Sequence, residues 1–137
     1  MRYHEFKYYL FGLKVGVSNL LFNGFKIGVQ KTIGKISQPI NYYSRFPEYH
    51  YFNICIDKWI SEHQNRTLKI LDVGSPKLFG LYLAYTKSVT LILTDIHKRN
   101  IEEYIHLWNS IKGTANGHIE FITADARSLC FNNDASA

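Results

Sequence analysis

The sequence predicts an α/β fold in which three parallel strands alternate with helices. Three observations carry that reading. After residue 68, short apolar and β-branched runs at 68–73, 89–94 and 118–123 alternate with segments whose apolar residues recur at three- and four-residue steps. The runs stop at Gly74, at Asp95 and just before Asp125, all residues that end strands. Before residue 68 the apolar spacing is helical from Phe6 to about Val29 and again after Pro47, with Gln38-Pro39 and a polar stretch from Asn41 between them. Strands and helices alternating at these lengths imply right-handed crossovers and a parallel sheet.

The first element lies in a basic leading segment, residues 1–45. Phe6, Leu10, Leu13, Val17, Leu20, Leu21 and Phe25 recur at helical spacing. Gly12, Gly16, Gly24 and Gly28 interrupt them, each weakening a helix by about 1 kcal/mol relative to Ala, so a kink or two shorter helices is expected. Arg2, Lys7, Lys14, Lys26, Lys31, Lys35 and Arg45 face Glu5 alone, whereas residues 46–137 carry nine Lys or Arg against ten Asp or Glu. The interleaved lysines permit a helix lying on an anionic membrane surface. The alternative is a helix that packs its apolar stripe on the domain or on a partner. Lys14, Ser18, Asn19 and Asn23 break the apolar run too often for a secretion signal or a membrane span. A cytoplasmic protein is expected, peripheral to a membrane where the basic segment engages one.

Residues 46–67 form the second unit, a capping helix. Pro47 suits the first helical turn, and Glu48 lies near the positive end of the helix dipole. Phe52, Cys55, Ile56, Trp59 and Ile60 are its expected buried stripe. Cys55 and Cys130 have no metal or CxxC spacing and read as reduced, buried thiols. The ten Tyr and nine Phe fall mostly in helical stretches and read as core. No specific nucleic-acid signal emerges, since a base-stacking platform needs a basic groove with aromatics along it.

The third unit, residues 68–137, opens with the strand 68–73, which stops at Gly74-Ser75-Pro76. A helix follows over 78–85. The next run, 89–94, is almost continuously apolar, as a parallel strand buried on both faces should be. Ile101, Tyr104, Ile105, Trp108 and Ile111 mark a helix that stops at Gly113, and Asn116-Gly117 turns the chain into the strand 118–123.

Parallel strands bring their C-terminal ends to one edge of the sheet, and open α/β sheets bind ligands outside that edge. Gly74 lets backbone approach a ligand closely there. Asp95 follows Gly74 by 21 residues, near the offset of about 20 at which a strand-end carboxylate reaches ribose hydroxyls. Asp125 could accept a hydrogen bond from an exocyclic amine. Taken singly, each has a plainer reading, as a turn glycine or a helix cap.

At these residues the chain resembles the class I S-adenosylmethionine-dependent methyltransferases. Ile70-Leu71-Asp72-Val73-Gly74-Ser75-Pro76 is similar to the first family motif, Leu93-Thr94-Asp95-Ile96 to the acidic end of the second strand, and Phe121-Ile122-Thr123-Ala124-Asp125-Ala126 to the motif after the third. The resemblance covers about 60 residues. It implies an incomplete Rossmann-like methyltransferase fold holding S-adenosyl-L-methionine, with transfer of its methyl group to an unidentified acceptor. It also implies that Gly74 lines the methionine moiety with Asp72 and Ser75 nearby. Asp95 would hold the ribose hydroxyls, Ile96 would pack on adenine, and Asp125 with the Ala126 backbone would read its edge. Ser75 and Pro76 stand where the family usually has further glycines.

The family sheet has four further strands, so a truncated product or one half of a larger assembly is expected. The first strand would then be an uncovered edge prone to self-association. A binding module of the same fold without turnover is the main alternative. A nicotinamide-binding protein would want G-x-G-x-x-G, whose middle glycine is missing. The six histidines show no paired-ligand spacing, so no metal is expected, and no residue stands out as catalytic.

Overall fold

The computed structural model describes residues 3–27, 46–64, 66–74 and 77–128. In chain order its elements are α1 (Phe6–Ile27), α2 (Phe46–Glu62), β1 (Lys69–Val73), α3 (Lys77–Thr86), β2 (Thr90–Asp95), α4 (Lys98–Ile111) and β3 (His118–Thr123). Short 3-10 turns occupy Tyr3–Glu5, Lys112–Thr114 and Ala126–Ser128. The three strands form one parallel sheet in the order β1-β2-β3.

β2 pairs on both sides, and its register aligns two rows across the sheet. Ile70, Leu91 and Ile119 form one row, and Asp72, Leu93 and Phe121 the next. Because side chains alternate along a strand, all six point to one face, and α3 and α4 cover that face. Leu91, Leu93 and Ile119 join Leu78, Leu81, Leu83, Ile101, Tyr104, Leu107, Trp108 and Ile111 in a single core. Ile92 is buried as well but lies outside that core, on the opposite face. The expected spacing of α4 therefore holds, with Leu107 added to its buried side. Gly80 sets how closely α3 rides on the sheet. A methyl group there would come within 3.1 Å of the Asp72 Oδ2 and of Leu93.

The turn at Asn116-Gly117 closes the C-terminal end of α3, whose last carbonyls need partners from outside the helix. The Gly117 amide donates to the Ala84 carbonyl at 2.8 Å, the Asn116 amide to Tyr85 at 3.0 Å, and the Asn116 side-chain amide to Thr86 at 3.1 Å. A Cβ on Gly117 would lie 2.4 Å, 2.5 Å and 2.7 Å from the carbonyl oxygens of Lys87, Val89 and Ala84. Only glycine can make this approach.

α1 packs on α3 and α4, and α2 packs against α1 and α3. Tyr8 of α1 sits among Phe46 and Tyr49 of α2 and Tyr82 of α3, the last with ring centroids 4.8 Å apart. Lys14 donates to the Tyr85 hydroxyl, which also shares a 2.8 Å hydrogen bond with Thr114. These two contacts hold the Tyr85 hydroxyl below the usual tyrosine range. Lys87 and Asp57 form an ion pair between α2 and the end of α3.

In four respects the structure departs from what the sequence pattern leads one to expect. α1 runs unbroken over 22 residues, because tertiary contacts along its length outweigh the helix-weakening of its glycines. Its buried face is Tyr8, Phe11, Gly12, Val15, Gly16 and Asn19, so the aliphatic stripe read from the sequence points away from the domain. On α2 the buried residues are Phe46, Tyr49 and Asn53, while Phe52, Cys55 and Trp59 are exposed. There the aromatic contacts of Tyr8 and Phe79 select the Phe46 and Tyr49 side. Cys55 is accordingly a free, exposed thiol and not a buried one. Phe25, Gly28 and Cys130 fall on residues whose side chains lie outside the described set.

Two outcomes check this packing. Gly117→Ala should cost about 3 kcal/mol in urea unfolding, because three backbone oxygens would have to move. Gly113→Ala, with no atom within 4 Å of the added methyl, should change stability by less than about 0.5 kcal/mol. The second outcome concerns His50, whose ring stacks on His4 at 4.1 Å. Burial, then the neighbouring His4 and Lys7, push its imidazole below the ordinary value. The folded chain thus keeps His50 neutral to lower pH than the unfolded chain, which takes up a proton below about pH 6.5. Stability should therefore be full above that pH and fall as the pH drops through and below it. His50→Gln should flatten the slope of the urea midpoint against pH.

Candidate functional site

The three strand ends meet in a cleft of about 350 Å³ lined by Val73, Gly74, Thr94, Asp95, Ile96, His97, Asn100, Ala124, Asp125 and Ala126. Two backbone hydrogen bonds past the regular ladder hold the edge together. The Gly74 amide donates to the Thr94 carbonyl at 3.0 Å, and the Ala124 amide to the Asp95 carbonyl at 3.0 Å. The buried Thr94 hydroxyl adds a 3.0 Å bond to the Asp72 carbonyl. Each loop therefore leaves the sheet from a pinned position.

Gly74 has φ +68°, a left-handed conformation that costs other residues about 1–2 kcal/mol. An added Cβ would meet no atom of the described residues within 4 Å, so these residues leave the space above the turn open. Its glycine is required by backbone conformation and leaves room for a ligand.

Asp95 ends β2 half-buried. Its Oδ1 accepts the His97 amide at 2.8 Å, and the Asn100 side-chain amide approaches Oδ1 at 3.3 Å and Oδ2 at 3.2 Å. This Asx-type turn leads into α4, whose N-cap residue His97 makes no capping bond of its own. A carboxylate offers about four lone-pair directions, so the three contacts leave capacity for a further donor. Ile96 is 56% exposed beside it and presents an apolar surface to the cleft.

Asp125 is more fully engaged. Its Oδ1 accepts the Arg127 amide at 2.9 Å, and the Arg127 guanidinium donates to both oxygens, at 3.1 Å and 3.2 Å from Nε and at 2.7 Å from Nη2. Those side-chain and backbone bonds hold the carboxyl below the usual range and the guanidinium above its own. A donor from a ligand must share or displace Arg127.

The structure thus brings together Gly74, Asp95, Ile96, Asp125 and Ala126 of the residues expected at the site. Asp72 is not among the cleft-lining residues, because alternation along β1 turns its side chain under Gly80 into the core. Ser75 lies outside the described residues. Thr94 and Asn100 line the cleft without being singled out by the sequence pattern. Asn100 carries one usable signal, its place in the first turn of α4 five residues beyond Asp95. Among the described residues no group of three or more His, Cys, Asp or Glu is placed to hold a metal ion.

Comparison with known protein families, with curated proteins and with solved structures finds no match to this chain. What the cleft can bind therefore follows from its own geometry.

Two substitutions separate conformation from ligand contact. Gly74→Ala should cost about 1–2 kcal/mol through its positive φ alone. Asp95→Ala should cost about 1 kcal/mol by removing the turn acceptor, whereas Asp95→Asn keeps an acceptor oxygen and should cost less than half as much in the same urea titration.

Proposed function

We propose that this chain binds S-adenosyl-L-methionine along the C-terminal edge of its sheet, as the cofactor-holding part of a methyltransferase. The observation that carries the reading is the convergence of Gly74, Asp95 and Asp125, one from each strand end, on a single cleft. The residues fit such a ligand. The open space over Gly74 accepts the amino-acid portion. The unused capacity of Asp95 suits a hydroxyl pair, and exposed Ile96 suits a flat ring. Asp125 lies where it can take an amine donor once Arg127 gives way, an exposed ion pair being weakly held.

The bound cofactor supplies an electrophilic methyl group. In-line transfer asks the protein mainly for alignment of donor and acceptor. On this reading Asp95 fixes the ribose, Gly74 admits the chain that carries the reactive centre, and Ile96 excludes water from one ring face. The acceptor is unspecified, and none of the described residues is assigned a catalytic role.

A second reading, a binding module of the same fold without turnover, draws on the Asp125–Arg127 pair, which leaves no lone pair of Asp125 idle. Isothermal calorimetry with S-adenosylmethionine and its demethylated product tests cofactor binding itself. Heat of binding is expected, and its absence at about millimolar ligand with a folded sample would sink both readings. Asp95→Asn should weaken binding at least about tenfold, the scale of a lost charged hydrogen bond, while leaving the urea midpoint nearly unchanged. Unchanged affinity would mean that the ribose does not sit at Asp95.

A further inference from the structure

α1 is apolar on two opposite sides, and only one of them is covered by the described residues. At 100° per residue, the buried face of Tyr8, Phe11, Gly12, Val15, Gly16 and Asn19 is centred about 160° from Phe6, Leu10, Leu13, Val17, Leu20 and Leu21. Phe6 is 48% exposed, Leu10 49%, Val17 53% and Leu21 74%. This continuous row runs along a helix about 33 Å long, whereas surface apolar residues on a monomer are ordinarily scattered. Packing among the described residues does not explain it, since the face they cover is the other one.

The chemistry of the row narrows what covers it. α1 contains no acidic residue, and Lys7 lies along one margin of the stripe, where the neighbouring Lys14 is held by the Tyr85 hydroxyl of α3. The sequence of residues 1–45 adds five further basic residues against the single, buried Glu5. The stripe itself has no hydrogen-bonding side chain, so its partner needs no directional polar groups. A second copy of the chain laid antiparallel on the stripe would bring both Lys7 margins together, which like-charge repulsion opposes. No helix among the described residues is long and apolar enough to cross a membrane, so a surface-lying mode remains.

We propose that α1 is a membrane-surface helix that lays Phe6, Leu10, Val17 and Leu21 into an anionic bilayer while its opposite face holds the domain. The Lys7 stem at the margin reaches head groups while the apolar row enters the acyl boundary. This docking is independent of what the strand-end cleft binds.

Co-sedimentation of the full chain with vesicles tests it, using phosphatidylcholine alone and phosphatidylcholine with about one third phosphatidylserine. Binding to the anionic vesicles at low salt is expected, several-fold weaker on the neutral ones and at high salt. Val17→Glu and Ile54→Glu change charge equally at residues of matched exposure, 53% and 54%, but only Val17 lies on the stripe. Val17→Glu should lower partitioning about tenfold or more, and Ile54→Glu should lower it far less. Circular dichroism checks that both variants remain folded. No sedimentation at low salt overturns the proposal. Equal losses in the two variants overturn it too, because binding would then follow charge without insertion. Sedimentation equilibrium showing a lipid-free dimer that Val17→Glu dissociates, with no vesicle binding, would make the stripe a self-association surface and likewise overturn it.

Discussion

Pairing of β2 with a parallel neighbour on each side is the constraint on which the other described elements depend. The register that joins Leu91 to Ile70 and Ile119, and Leu93 to Asp72 and Phe121, decides which face of the sheet is apolar and continuous. Right-handed crossovers then bring α3 and α4 to that same face. Among the described residues Gly117 leaves no room for a side chain, and Gly80 leaves little. Gly80 lets α3 close on the sheet, and Gly117 lets the turn before β3 cap the helix that precedes β2.

The same pairing builds the cleft. Parallel strands end together, so Gly74, Asp95 and Ala124 stand side by side, tied by the amide bonds that continue the ladder. Chemistry at this edge is partly committed to the fold. Asp95 organises the first turn of α4 through His97 and Asn100, and Asp125 holds Arg127. A carboxylate that orders a turn is also one whose direction is set before a ligand arrives, which lowers the ordering cost of binding. Asp95, with lone-pair capacity left over, is better suited to that double use than Asp125.

α1 shows how packing and surface chemistry divide one helix. Small and aromatic residues, Gly12 and Gly16 with Tyr8 and Phe11, form the side that meets the domain. The larger aliphatic residues are left outside. A surface helix ordinarily carries one apolar stripe, facing the core, and this helix has two.

Strand and helix order, the parallel sheet and the strand ends at which Gly74, Asp95 and Asp125 meet were all legible in the residues alone, because period-two and period-3.6 patterns are local and turn residues mark their limits. The outward row of α1 was also legible as a stripe. Its direction was not, and packing of the whole chain was needed to fix it. The same holds for Phe46 and Tyr49, rather than Phe52 and Trp59, burying α2, for the exposure of Cys55, and for Asp72 turning into the core while Asn100 reaches the cleft. Those outcomes depend on which neighbouring surface offers the better fit, such as the ring of Tyr82 for Tyr8 or the space under Gly80 for Asp72. A pattern along one segment carries no information about the shape of the surface that another segment presents to it.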